Sequence, residues 1–192
     1  MRILIAEDEQ VISMQYCLVL EERGHEVIVT NDGEECMKVY RTALGLPNGY
    51  NVNEEKGEKH LAGQEGEQYS SPSHPPFDIV ILDYRMPNKD GLAAAIEILE
   101  LCPSQRIMFA SAYTAETLVA AVKNLHRVVE LLHKPFELEY FVDAVEDTML
   151  YEQLERLNVR VRELKDHHIT HSQLVDLLDG AKKLQNLVLY NS

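Results

Sequence analysis

Basic residues are scarce in this chain. Against 32 Asp and Glu stand 18 Lys and Arg, a formal net charge of −14 over 192 residues, and residues 151–192 hold six of each sign, so the acidic excess lies in residues 1–150. An acidic body with a neutral tail lacks the clustered cations on which binding to a phosphate backbone depends. The tail also has only Tyr151 and Tyr190 for stacking on bases, which argues further against a nucleic-acid partner. Cysteine is scarce as well: Cys17, Cys36 and Cys102 are odd in number, widely spaced and form no CxxC pair. Reduced, buried thiols in a cytoplasmic protein are the expectation. Long apolar runs are missing, with no stretch of about 18 residues to cross a bilayer, and the amino terminus enters a charged, strand-like segment instead of a signal peptide. With 45% hydrophobic and 26% charged residues, what is present suffices for one full core plus appended structure.

Ile3 to Ala6 is a short continuous apolar run of the kind that forms a parallel strand covered on both faces, and it stops at Glu7, Asp8 and Glu9. Val11, Met14 and Leu18 recur at helical spacing up to a stop at Arg23 and Gly24. A second strand spans 25–29, and Asp32 with Gly33 opens a second helix to about Leu44. From about 46 to 76 the sequence is rich in Gly, Pro, Ser and Glu, too polar to form a core, and reads as a flexible inserted loop. The run Phe77 to Leu82 is a third strand ending in Asp83, ahead of a turn with Pro87 and Gly91. A third helix follows, with Leu92, Ile96 and Leu99 on one face, closed by Pro103. The spacing then predicts a strand over 106–110 before Ser111, a helix over 114–124 with Thr114 or Thr117 as cap, and a strand over 128–132 before His133, Lys134 and Pro135. Leu138, Val142, Val145 and Met149 carry a fifth helix. Leu150, Leu154, Leu157, Val161 and Leu164 extend its stripe at coiled-coil spacing, and a last amphipathic helix follows a Thr170 to Gln173 capping box.

Five strands alternating with five helices predict an α/β, doubly wound, five-stranded parallel sheet, whose ligand crevice lies beyond the carboxyl ends of the strands. Just past four of those ends stand Glu7 with Asp8, Asp83, Ser111 and Lys134. Three gathered carboxylates repel one another unless a cation joins them. Hard oxygen ligands suit Mg²⁺, usually held by one or two carboxylates and a substrate phosphate. With Asp83 as nucleophile toward a phosphoryl group, and Lys134 and Ser111 placed to contact its oxygens, the pattern predicts an aspartyl phosphate.

This combination resembles the receiver domain of response regulators over residues 1–148, apart from the insertion. The resemblance implies a flavodoxin-like strand order 2-1-3-4-5 and assigns roles residue by residue. Asp83 matches the phospho-acceptor within DxxMPxxDG, which runs Asp83, Met86, Pro87, Asp90, Gly91. Glu7 and Asp8 match the acidic pair that binds Mg²⁺ together with Asp83 and the backbone carbonyl of Arg85. Ser111 matches the switch hydroxyl, and Lys134 the phosphate-contacting lysine, followed in the family by a proline that is commonly cis. Two departures stand out: Leu131 occupies the place of the switch aromatic three residues before the lysine, and the 46–76 insertion replaces a short loop away from the active end.

The implied function is two-component signalling. A histidine kinase donates to Asp83 in a Mg²⁺-dependent reaction, and the change passes through the face of the fourth helix, fifth strand and fifth helix to the tail. The chain would catalyse only its own phosphorylation and dephosphorylation, without turnover as an enzyme and without an organic cofactor. Residues 149–192 form a helical extension, read as a coiled-coil dimerisation segment. The competing readings are a receiver-like scaffold that no longer switches, motivated by Leu131; an aspartate-nucleophile hydrolase, for which the first strand lacks a nucleophile-x-acid pair; and an RNA-binding tail, opposed by its neutral charge. His167, His168 and His171 lack a third strong metal ligand and are read as solvated or interfacial.

Overall fold

The computed structural model describes residues 1–47, 74–112, 130–147, 169–170 and 175–180. Its elements are β1 (Arg2–Ala6), α1 (Gln10–Glu22), β2 (Glu26–Thr30), α2 (Gly33–Ala43), β3 (Ile79–Leu82), α3 (Gly91–Leu101), β4 (Ile107–Ser111), β5 (Glu130–His133), α4 (Leu138–Glu146) and β6 (Ile169–Thr170). The strands form one parallel sheet in the order β2-β1-β3-β4-β5-β6. The first five follow the expected 2-1-3-4-5 order. The sixth is an addition, because Ile169 and Thr170 lie in what the apolar spacing suggested was a helical tail.

Strand alternation sorts the core onto two faces. Leu4, Ala6, Val80, Leu82, Ile107, Phe109 and Leu131 face Met37 and Tyr40 of α2 and Ala94, Ala95 and Ile98 of α3. Ile3, Ile5, Ile79, Ile81, Met108, Ala110 and Leu132 face Tyr16 and Leu20 of α1 and Phe141, Val142 and Val145 of α4. Covering both faces explains why the strands are continuous apolar runs. Cys36 and Cys102 are buried in this core, Cys17 is partly buried, and all three are unpaired.

The helix boundaries have local causes. Gly24, at φ 84°, takes the left-handed turn after α1. Asp32 accepts the Glu35 amide at 2.8 Å and caps α2, while Asp90 accepts the Ala93 amide at 2.8 Å and caps α3. Packing decides which way two apolar stripes look. Val11, Met14 and Leu18 are 71%, 71% and 58% exposed, and α1 instead buries Ser13, Tyr16 and Leu20. On α3 the buried face is Ala94, Ala95, Ile98 and Leu101, with Ile96 turned outward. Three apolar residues at helical spacing mark a face without saying which way it looks.

The helix predicted over 114–124 and the leucines from Leu150 to Leu164 lie outside the described residues. Within the tail, residues 175–180 are helical and Leu178 is buried. The predicted capping box begins in β6, and its other residues lie outside the described set. The fifth predicted helix, α4, closes at Glu146, with Asp147 leaving helical geometry at ψ 60°.

Candidate functional site

Backbone bonds just past the strands align the loops that carry the acids. The Glu7 amide donates to the Thr30 carbonyl (3.0 Å), the Asp83 amide to the Ala6 carbonyl (2.9 Å) and the Lys134 amide to the Ser111 carbonyl (2.8 Å). The ladder thus runs past β1, β3 and β5 and presents their end residues side by side. One carboxylate oxygen from each of Glu7, Asp8 and Asp83 lies within 4.8 Å of the other two. Into this cluster reaches Lys134, whose Nζ donates to Glu7 Oε2 at 2.6 Å and to Asp83 Oδ2 at 3.4 Å. Glu7 is 1% exposed, Ser111 is fully buried at the end of β4, and Asp8 is exposed.

Burial pushes the Glu7 carboxyl above the usual carboxylate range; the Lys134 bond and charge oppose this, and Asp83 adds to it. One ammonium does not neutralise three acids, and the donor set is all oxygen. A hard divalent cation fits such a set, Glu7, Asp8 and Asp83 providing carboxylates and the Arg85 carbonyl standing in the adjoining loop.

That loop is held tightly. Gly91 opens α3 so close to Asp83 that a Cβ there would meet the Asp83 carbonyl oxygen at 2.0 Å, and the Gly91 amide donates to the Tyr84 carbonyl at 3.1 Å. Asn88, at φ 59°, donates from Nδ2 to Asp32 Oδ2 at 2.6 Å, and the Gly33 amide donates to the Lys89 carbonyl at 3.0 Å. The loop after β3 is therefore clasped to the start of α2. The Lys134–Pro135 peptide is cis.

The sequence agrees with a family of known proteins. The family model of the response regulator receiver domain matches residues 53–146. The chain contains a response regulator receiver domain. It is similar to the transcriptional regulatory protein PdtaR of Mycobacterium tuberculosis, 28% identical over 148 residues, covering 76% of this chain. The match spans about half, 55%, of that relative's length. A receiver domain structure from Clostridium thermocellum superposes with a TM-score of 0.54 at 18% identity, covering 80% of this chain and 98% of that one. The CheX-CheY-BeF3-Mg²⁺ complex from Borrelia burgdorferi gives 0.55 at 22% identity, covering 77% and 88%. Both structures share the fold.

The receiver geometry gathers Glu7, Asp8, Asp83 and Lys134, with Ser111 one strand away and in register with His133. Leu131 is buried beside Phe109 in the core. Three features escaped sequence reasoning. Beneath Lys134, Tyr16, Phe136 and Phe141 stack, with centroids 4.4 to 5.9 Å apart, and the Lys134 ammonium stands 6.0 Å from the Tyr16 centroid. Burial foremost, then the charges of Glu7 and Asp83, hold the Tyr16 phenol well above its ordinary pKa, so it stays neutral. No spacing joins residue 16 to 136. The Asp32 to Asn88 bond is a second such feature, since Asp32 with Gly33 signals only a helix start. The third is the lean of Lys134 toward Glu7, which nothing in a motif encodes.

Proposed function

We propose that this receiver is a phosphorylation switch in which Asp83 takes a phosphoryl group from a histidine kinase in a Mg²⁺-dependent reaction. The observation that carries the reading is the meeting of Glu7, Asp8 and Asp83 with Lys134 bridging two of them. In the transfer, an Asp83 oxygen bonds to phosphorus as the donor's phosphorus–nitrogen bond breaks, the electron pair leaving with the imidazole nitrogen. Lys134 turns from Glu7 toward the new phosphoryl oxygens, and Ser111 donates its hydroxyl to one of them. A bound Mg²⁺, held by Glu7, Asp8, Asp83 and the Arg85 carbonyl, would neutralise the crowded acids and the phosphoryl charge. The domain acts on itself, without turnover of a separate substrate.

The outward stripe Val11, Met14 and Leu18 begins just beyond Asp8 and offers a helical phosphodonor an apolar surface beside the site. Output through protein contacts is favoured by the neutral tail, with homodimerisation through the leucine repeat after residue 150. Unpaired Cys17, Cys36 and Cys102 agree with work in the cytoplasm. The test is intact mass after incubation with a small acyl phosphate and Mg²⁺. One phosphoryl adduct, lost in Asp83→Ala, is expected, and an unmodified wild-type protein would sink the proposal. Burial of Leu131 in place of a mobile aromatic favours a second reading, a scaffold that does not switch. It predicts the same sedimentation with and without beryllofluoride.

A further inference from the structure

The apolar stripe of α4 runs on in sequence past Met149, yet the helix stops at Glu146. Arg106 caps that end. The carbonyls of Ala144 and Val145 lie in the last turn of α4, where a helix leaves carbonyls without intrahelical partners. Here they accept from the Arg106 guanidinium, Nη2 to Ala144 and Nη1 to Val145, each at 2.8 Å. The guanidinium is aimed by Glu130, 1% exposed, through Nε to Oε1 at 2.7 Å and Nη2 to Oε2 at 3.1 Å.

Glu130 also begins β5. Its backbone is in register with Met108 of β4 on one side and Ile169 of β6 on the other, and Leu131 is likewise in register with Phe109 and Thr170. One residue thus aims the guanidinium that caps α4 with its side chain and holds the returning tail with its backbone. A short way along the same strand, the Lys134 amide is bonded to the Ser111 carbonyl and the Lys134 ammonium touches Asp83.

We infer that the outer edge of β5 is a docking edge whose occupant is the chain's own tail at Ile169–Thr170, and that phosphorylation of Asp83 releases it. The inference rests on the reading of Asp83 as phosphoryl acceptor. A strand of two residues is the shortest ladder a sheet can hold, so a small shift of β5 suffices to free it. The side chain at 131 is locked in the core beside Phe109 and has no ring to swing. What is left to change at this position is the backbone partner on its open side, where strand addition gives affinity through main-chain bonds. Lys134, drawn from Glu7 to a phosphoryl group, pulls on the end of the strand that holds the tail.

The experiment is hydrogen exchange by mass spectrometry on the full chain, with and without a small acyl phosphate and Mg²⁺, reading intact mass on the same samples. Phosphorylated protein is expected to exchange several-fold faster in peptides carrying 130–131 and 169–170. An adduct with unchanged protection overturns this inference alone, whereas absence of any adduct overturns the acceptor reading and this inference with it. Thr170→Pro removes an amide and opposes ladder pairing. It is expected to expose 130–131 before phosphorylation to the level wild type reaches after it. Unaltered protection in that variant overturns the inference, as does protection of the edge that grows with protein concentration, which would mark the occupant as a second copy.

Discussion

The ammonium of Lys134 sits closer to Glu7 than to Asp83, at 2.6 against 3.4 Å. Before any phosphoryl group arrives, its main task is to hold a buried carboxylate. Lys134→Ala should therefore destabilise the protein by about 3 kcal/mol, the cost of leaving a buried charge without its partner. Adding Glu7→Gln should recover most of that loss. In urea titrations, wild type should gain ~1.4 kcal/mol at tenfold Mg²⁺ over Kd, and Lys134→Ala should reach the same gain at lower Mg²⁺. Midpoints indifferent to Mg²⁺ in both proteins would contradict the arrangement.

Gly91 has no room for a side chain, a Cβ there meeting the Asp83 carbonyl oxygen at 2.0 Å. Gly91→Ala should cost about 2–3 kcal/mol, as overpacking does. It should also slow labelling by acyl phosphate, because the backbone that must give way is that of the acceptor.

Asp32 caps α2 and holds Asn88, and these bonds, the Glu35 amide first, keep its carboxyl below the ordinary 3.8. With a depressed value in the native state, the unfolded chain binds more protons in acid. The stabilisation is thus complete above the ordinary value and lost as pH falls through the native one. Asp32→Ala should cost about 1 kcal/mol near neutrality. Its denaturation midpoint should converge on that of wild type below about pH 3.8, and a gap independent of pH would refute the assignment.

Val11 and Met14 are each 71% exposed and support no core. The double substitution Val11→Lys and Met14→Lys should leave stability within about 0.5 kcal/mol and labelling by acyl phosphate intact. Transfer from the cognate kinase should fall about tenfold, ~1.4 kcal/mol of docking. Equal loss with both donors would move the effect from docking to chemistry.

Glu7, Asp8 and Asp83 were legible because they follow unbroken apolar runs, and Lys134 because it follows a strand that holds Leu131 and Leu132; a parallel sheet brings all such ends to one edge. Ser111 was legible for the same reason, although β4 includes it instead of stopping before it. The orientation of α1 was not legible, since Val11, Met14 and Leu18 have the spacing of a buried face and only the packing of Tyr16 and Leu20 decides against them. Nor was the cap on the end of α4, a guanidinium from Arg106, far away in sequence. The pairing of Ile169 and Thr170 with β5 was hidden because two residues carry no periodicity.

The segment over 46–76 departs after α2 and rejoins at Pro76 and Phe77, where Arg2 binds the Pro76 carbonyl at 3.1 Å and lies 4.6 Å over the Phe77 ring. Those anchors stand at the start of β1, the opposite end of the strand from Glu7. Lengthening a loop between fixed ends costs little, about 0.6 kcal/mol per doubling. This corner is therefore a splice point: a tag or reporter introduced within 46–76 should leave Mg²⁺ binding and phosphorylation as they were, giving a handle on the switch that the switch does not feel.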